Sequence, residues 1–204
     1  MTGTGPAVES PAAPAVPVAA SRAWAILIGG VIGLAASVTL TVEKIKLLTD
    51  SGYVPSCNLN PVLSCGSVMV TPQASVLGFP NPLMGIVAFT VVVVTGVLTV
   101  AKVPLPHWYW VGLTLGTLAG AGFVHWLIFQ SLYRIGALCP YCMVVWSVTL
   151  CLLVIFAALT SEQTGIRNNL HHLHRWRWTI VALWFIALFL LIFIRFQDYW
   201  VTLL

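Results

Sequence analysis

Five of the 204 residues are cysteines, and four of them fall in two pairs. Cys57 and Cys65 bracket the segment CNLNPVLSC, and Cys139 and Cys142 form CPYC. Paired thiols suit thiol–disulfide exchange, in which a thiolate attacks a disulfide and a second thiolate leaves. Pro140 fits the first position of a helix, where its missing N–H costs nothing. Cys139 then falls near the N-cap, where free N–H groups and the helix dipole favour a thiolate. Cys142 lies one turn deeper on the same side. Blander readings compete. A CPYC bridge used only as a staple closes a tiny loop and removes little unfolded-state entropy. A Cys57–Cys65 bridge would pin its own loop. Cx7C plus CxxC is not a common zinc spacing, so no metal is expected. Cys151, nine residues past Cys142, reads as an inert apolar filler.

The elements that must carry these thiols are membrane helices. Lys+Arg number 9 and Asp+Glu 5, which is 7% of the chain, against about 25% in an ordinary soluble domain. Mean hydropathy is +0.98. Such a chain cannot cover a water-facing surface with charge, which excludes soluble enzymes, nucleic-acid binders and disordered chains. The long unbroken apolar runs exclude a barrel, whose strands alternate. The expectation is an all-α polytopic membrane protein, a four-helix bundle with a fifth transmembrane helix. At about 20 residues per span, the runs read as spans near 23–42, 82–101, 108–130, 138–159 and 178–194. Residues 1–21 are Pro/Ala-rich and read as a disordered tail, not as a signal peptide. Residues 22–204 read as one membrane domain, with a cysteine loop at 49–81. The first span can continue as a helix through Glu43–Leu48.

Glycines punctuate the spans. Gly29 and Gly33 have the spacing that lets helices approach closely, and Gly112, Gly116 and Gly120 recur on one face and read as packing positions. Trp108, Tyr109, Trp110, Trp176 and Trp178 read as interfacial aromatics. Positive charge favours a cytoplasmic N-terminus by a small margin, carried mainly by the three arginines of 160–177. Both cysteine pairs then lie outside, in an oxidising compartment of the cell membrane, where disulfides are expected. Pro-Tyr within CxxC is familiar from glutaredoxin-like proteins. That fold needs a strand before the motif and a soluble helix after it, and neither fits the context.

The segments CNLNPVLSCGSVM (57–69), GFPNPLMGI (78–86) and GALCPYCMVVW (136–146) resemble the vitamin K epoxide reductase family in its bacterial form. The resemblance covers about residues 22–160. It implies a quinone-dependent thiol oxidoreductase that supports disulfide bond formation. By that resemblance Cys57 and Cys65 form the shuttle pair, and Cys139 and Cys142 the active-site pair beside a membrane quinone of menaquinone or vitamin K type. Asn81 matches an Asn that bonds a quinone carbonyl. Thr71 falls where relatives have Ser. Trp146 falls where animal enzymes have a quinone-bonding Tyr, which puts epoxide reduction in doubt. Many bacterial relatives carry a thioredoxin-like domain after the fifth span. With this chain ending at Leu204, the thiol partner is expected to be a separate DsbA-like protein. The competing reading is a non-enzymatic membrane protein with structural disulfides.

Other polar residues have readings of their own. His125, inside a span, reads as a neutral ring bonded to a neighbouring helix, or as a functional group. His171, His172 and His174 with Arg175 and Arg177 read as a solvated, headgroup-facing loop. Glu43 and Lys46 have helical spacing and read as a local surface pair. Lys44 or Arg134, near the mouth, is placed to stabilise a thiolate.

Overall fold

The computed structural model describes residues 18–50, 52–163 and 171–201. Most of the tail expected at 1–21 lies outside the described residues. The described part is helical, and five of its helices are long and apolar enough to cross a membrane. These are α1 (Ala20–Thr49), α3 (Asn81–Val100), α4 (His107–Gln130), α5 (Pro140–Gln163) and α6 (His171–Arg195). Among the described residues two short α-helices are added, α2 (Cys65–Met69) in the cysteine loop and α7 (Gln197–Val201), with a 3-10 turn at Pro72–Ser75. The protein is an all-α polytopic membrane protein.

α1, α3, α4 and α5 form a four-helix bundle. α1 runs antiparallel to α3 and to α5, and α4 runs antiparallel to α5. Ile26, Phe89, Val92, Trp110, Leu152 and Phe156 make the core at one end. The α1–α3 seam is close because its glycines have no side chain to hold the helices apart. A Cβ on Gly96 would lie 2.5 Å from Leu27 Cα, and one on Gly30 3.0 Å from the Val93 backbone nitrogen. Gly33 faces the Phe89 ring, while Gly29 faces Leu152 and Val148 of α5. At the end away from the cysteines, Arg22 of α1 pairs with Glu162 of α5 at 2.6 Å.

α6 stands outside the bundle, with no buried residue in its most apolar window. Two hydrogen bonds tie it to α4 and the turn that follows α4. Trp184 Nε1 donates to His125 Nε2 at 2.9 Å, and Arg195 Nε donates to the Leu132 carbonyl at 2.9 Å. His125 Nδ1 lies 2.7 Å from the Ala121 carbonyl. That carbonyl can only accept, so the Nδ1 carries the proton and the ring is neutral, as expected of a helix-bridging histidine.

α1 continues to Thr49, as the sequence allows, and at about 1.5 Å per residue its 30 residues exceed a hydrocarbon core of about 30 Å. Its last turns therefore stand above the membrane. Elsewhere the structure differs from the sequence reading in four places. α5 starts at Pro140, not 138, because Leu138 pairs with the cysteine loop. The link before α5 holds a π-helical turn (Ser131–Ile135) closed by Gly136 at φ 70°, a backbone conformation that glycine adopts freely. α6 begins at His171, so 171–177 are helix rather than loop; the side chains of 171–174 lie outside the described residues. Trp110 is core, packed on Phe156, and Tyr109 hydrogen-bonds Thr95 Oγ1 at 2.7 Å. Trp108, Trp176 and Trp178 alone of those aromatics stay exposed.

Candidate redox site

The C-terminal turns of α1 anchor the cysteine loop on both sides. The Glu43 carboxylate accepts from Tyr53 Oη at 2.8 Å and from Ser56 Oγ at 2.6 Å. Lys44 Nζ donates to the Met69 carbonyl, at the end of α2, at 2.6 Å. Glu43 is therefore a buried anchor rather than a surface residue, since loop hydroxyls compensate its lost hydration; the Lys46 charge, one turn on, also favours its ionised form. Lys46 lies over the Tyr53 ring as well. Within the loop, Asn58 Oδ1 accepts from the Gly66 N–H at 2.8 Å, and Asn60 Oδ1 from Leu63 N–H at 2.7 Å. Ser64 caps α2.

A short parallel bridge then sews the loop to the segment before α5. Leu138 N–H donates to the Val62 carbonyl at 2.7 Å, and Ser64 N–H to the Leu138 carbonyl at 2.9 Å. Cys65 stands two residues beyond Leu63, and Cys139 one residue beyond Leu138. Their sulfurs are 3.1 Å apart. Cys57 and Cys65 are joined as a disulfide, and Cys139 and Cys142 are free thiols. Cys57, Cys65 and Cys139 are buried with Leu40 and Met69.

Cys139 takes the N-cap place expected of it. Its sulfur accepts the Cys142 backbone N–H at 3.4 Å. The Cys142 thiol first, and the N–H groups of Cys142 and Tyr141 next, hold the Cys139 thiol below its ordinary range, against burial that raises it.

Cys142 faces a different environment. It lines a cavity of about 820 Å³ between α3 and α4, roofed by the loop at 68–81. The walls are almost wholly apolar. Asn81, Thr71 and Trp146 all line it. Asn81 also closes the loop: its Nδ2 donates to the Gln73 carbonyl at 2.7 Å and its Oδ1 accepts from Val76 N–H at 3.0 Å. One Nδ2 hydrogen is left over. Thr71 Oγ1 donates to the Val68 carbonyl at 2.7 Å. Trp146 is 2% exposed, and its indole N–H meets no acceptor among the described residues. Gly112 and Gly116 also line the cavity, and a Cβ on either would meet nothing within 4 Å. These glycines do not pack against a helix. They leave room, because α3 and α4 diverge there. Arg134 is exposed and is not part of the wall, whereas Lys44 is. Cys151 sits apart in a second groove of about 260 Å³ beside Gly29 and Trp178.

The sequence reading singled out the four cysteines that gather here but missed the bridge of Leu63 and Leu138, which has no composition signal. It also undervalued Glu43 and Lys44, two adjacent charges ending an apolar run. An apolar chamber with a few buried donors, next to a thiol, fits a quinone ring and its lipid tail.

The family model for the vitamin K epoxide reductase family matches residues 24–157. The chain belongs to that family, and with it to the quinone-linked thiol oxidoreductases. No curated protein matches the chain.

Proposed function

We propose that the protein oxidises thiols outside the cell membrane and delivers their electrons to a menaquinone- or vitamin K-type quinone. The contact of Cys65 with Cys139 at 3.1 Å carries this reading, because it links one cysteine pair to a second pair that borders the cavity. A dithiol of a separate DsbA-like, thioredoxin-fold protein reduces the Cys57–Cys65 disulfide by attack at Cys57 and leaves as a disulfide. Cys57 is only 4% exposed, so this attack requires the loop held by Glu43 to open. The Cys65 thiolate then attacks Cys139 of a Cys139–Cys142 disulfide, and Cys142 leaves as a thiolate. Cys57 resolves the mixed disulfide, restoring Cys57–Cys65 and leaving Cys139 and Cys142 as thiols. That end point has the disulfide arrangement described above. A bound quinone accepts two electrons and two protons as the Cys139–Cys142 disulfide re-forms. Asn81, Thr71 and Trp146 border the ring and orient it. The termini of α1 and α6 distant from the cysteines face the cytoplasm in this reading.

Replacing Cys57 by Ala tests the relay. A Cys65–Cys139 bridge, mapped on non-reduced peptides, is the expected product. Its absence, with disulfides inert to a reduced DsbA-like protein, leaves a protein with structural disulfides only. Cys139 has a further signature. A thiol held below its ordinary range is deprotonated at lower pH, so iodoacetamide labelling of Cys139 reaches half its plateau rate at a lower pH than labelling of an ordinary cysteine. Cys142→Ala removes the largest cause and moves that midpoint upward.

A further inference from the structure

The cavity wall carries one charged side chain among the described residues, Lys44, and no carboxylate. Lys44 is 9% exposed. An ammonium has three N–H donors. Its single protein partner among the described residues is the Met69 carbonyl at 2.6 Å. Glu43 is adjacent in sequence, but its oxygens accept from Tyr53 and Ser56 and it makes no salt bridge with Lys44. The charge that acts on it comes from Lys46. The one salt bridge between described residues lies at the far end of the bundle, between Arg22 and Glu162. A buried cation without a counter-ion is expensive, and Met or Leu would fill the same wall at lower cost.

We propose that Lys44 is the anion-holding residue of the cavity, donating to a quinone-derived oxygen that bears negative charge. This rests on the quinone reading above and names the group that makes the cavity electropositive. Electrons leave the Cys139–Cys142 dithiol for the ring, and charge accumulates on ring oxygen before protons follow. An ammonium fixed on the cavity wall by Met69 has N–H donors left to offer such an oxygen, so little reorganisation is needed when charge develops. The loop is linked to the same group. The carbonyl that holds Lys44 belongs to α2, the helix that starts at Cys65.

Equilibrium binding tests this without turnover. The full chain in lipid nanodiscs is titrated at neutral pH with naphthoquinone and with hydroxynaphthoquinone, which is ionised there. Quenching of tryptophan fluorescence is the readout. Wild type is expected to prefer the anion. Lys44→Met should lose about tenfold to a hundredfold in affinity for the anion while keeping its affinity for the neutral ring, as expected for a hydrogen bond to a charged group. Lys44→Arg should keep the preference. Lys44→Gln, which can still donate to Met69, should lose it; formation of the Cys57–Cys65 disulfide shows that each variant has folded. Equal loss for both ligands, or an unchanged preference in Lys44→Gln, overturns the proposal. Wild type that binds neither ligand overturns the quinone reading itself. Wild type that binds both equally overturns only the role of Lys44.

Discussion

The two seams made by α3 use glycine for opposite ends. Against α1, Gly96 and Gly30 let backbones touch, and the seam is closed. Facing α3 across the cavity, Gly112 and Gly116 of α4 meet open space, and the seam is a chamber. Small residues bring membrane helices together only where both helices follow the same line. Where the helices diverge, the missing side chains become volume. α1 and α3 meet along their length because their loop lets them run antiparallel. α3 and α4 are held mainly near the Tyr109–Thr95 hydrogen bond, beside their short connection. Toward the cysteines they part, and the space between them reaches Cys142.

The sharpest break of this contrast is chemical. Cys142→Ser should lower quinone-linked thiol oxidation by at least about 10³-fold, since nothing replaces the sulfur that borders the chamber. Cys151→Ser, on the same helix but in the other groove, should leave it unchanged. Parallel steady-state assays in membranes check both. Next comes the closed seam. Gly96→Ala places a methyl against Leu27 backbone, which cannot swing aside, and should destabilise by about 1–3 kcal/mol in a thermal melt. In the open seam, Gly116→Leu should weaken naphthoquinone binding by about tenfold at a near wild-type melting temperature, because the added side chain occupies ligand space. The smallest effect has the opposite sign from Gly96→Ala. Gly116→Ala should raise the melting temperature slightly, by up to about 1 kcal/mol of helix propensity, since its methyl meets no neighbour. A fall as large as that of Gly96→Ala would mean that the two seams are not different.

Much of the site was legible without coordinates. Cys139 and Cys142 declare themselves through Pro140, which both starts a helix and sets the two sulfurs one turn apart. Cys57 and Cys65 are marked by the family segments around them. Gly112 and Gly116 were misread for a physical reason: periodicity places residues on one face but does not say what that face meets. Gly120, by contrast, does face Thr149 of α5. Glu43 was misread because helical spacing to Lys46 is visible in sequence, whereas Tyr53 and Ser56 reach it only after the loop folds back. Trp110 looks like its neighbour Trp108 in composition, yet a rotation of about 100° per residue turns one into the core and the other outward.

The sequence by itself determined the solvent of this protein and its reactive groups. Fourteen charged residues in 204 can only be distributed among spans and their ends, and four thiols in two pairs define exchange chemistry. Tertiary structure decided which thiol meets which. The Val62–Leu138 and Ser64–Leu138 hydrogen bonds bring Cys65 to Cys139 across 74 residues of chain. It also decided that Cys142, three residues on, opens toward an apolar chamber. Those choices depend on how helices diverge and where a loop docks, and neither is written in the spacing of residues along one helix.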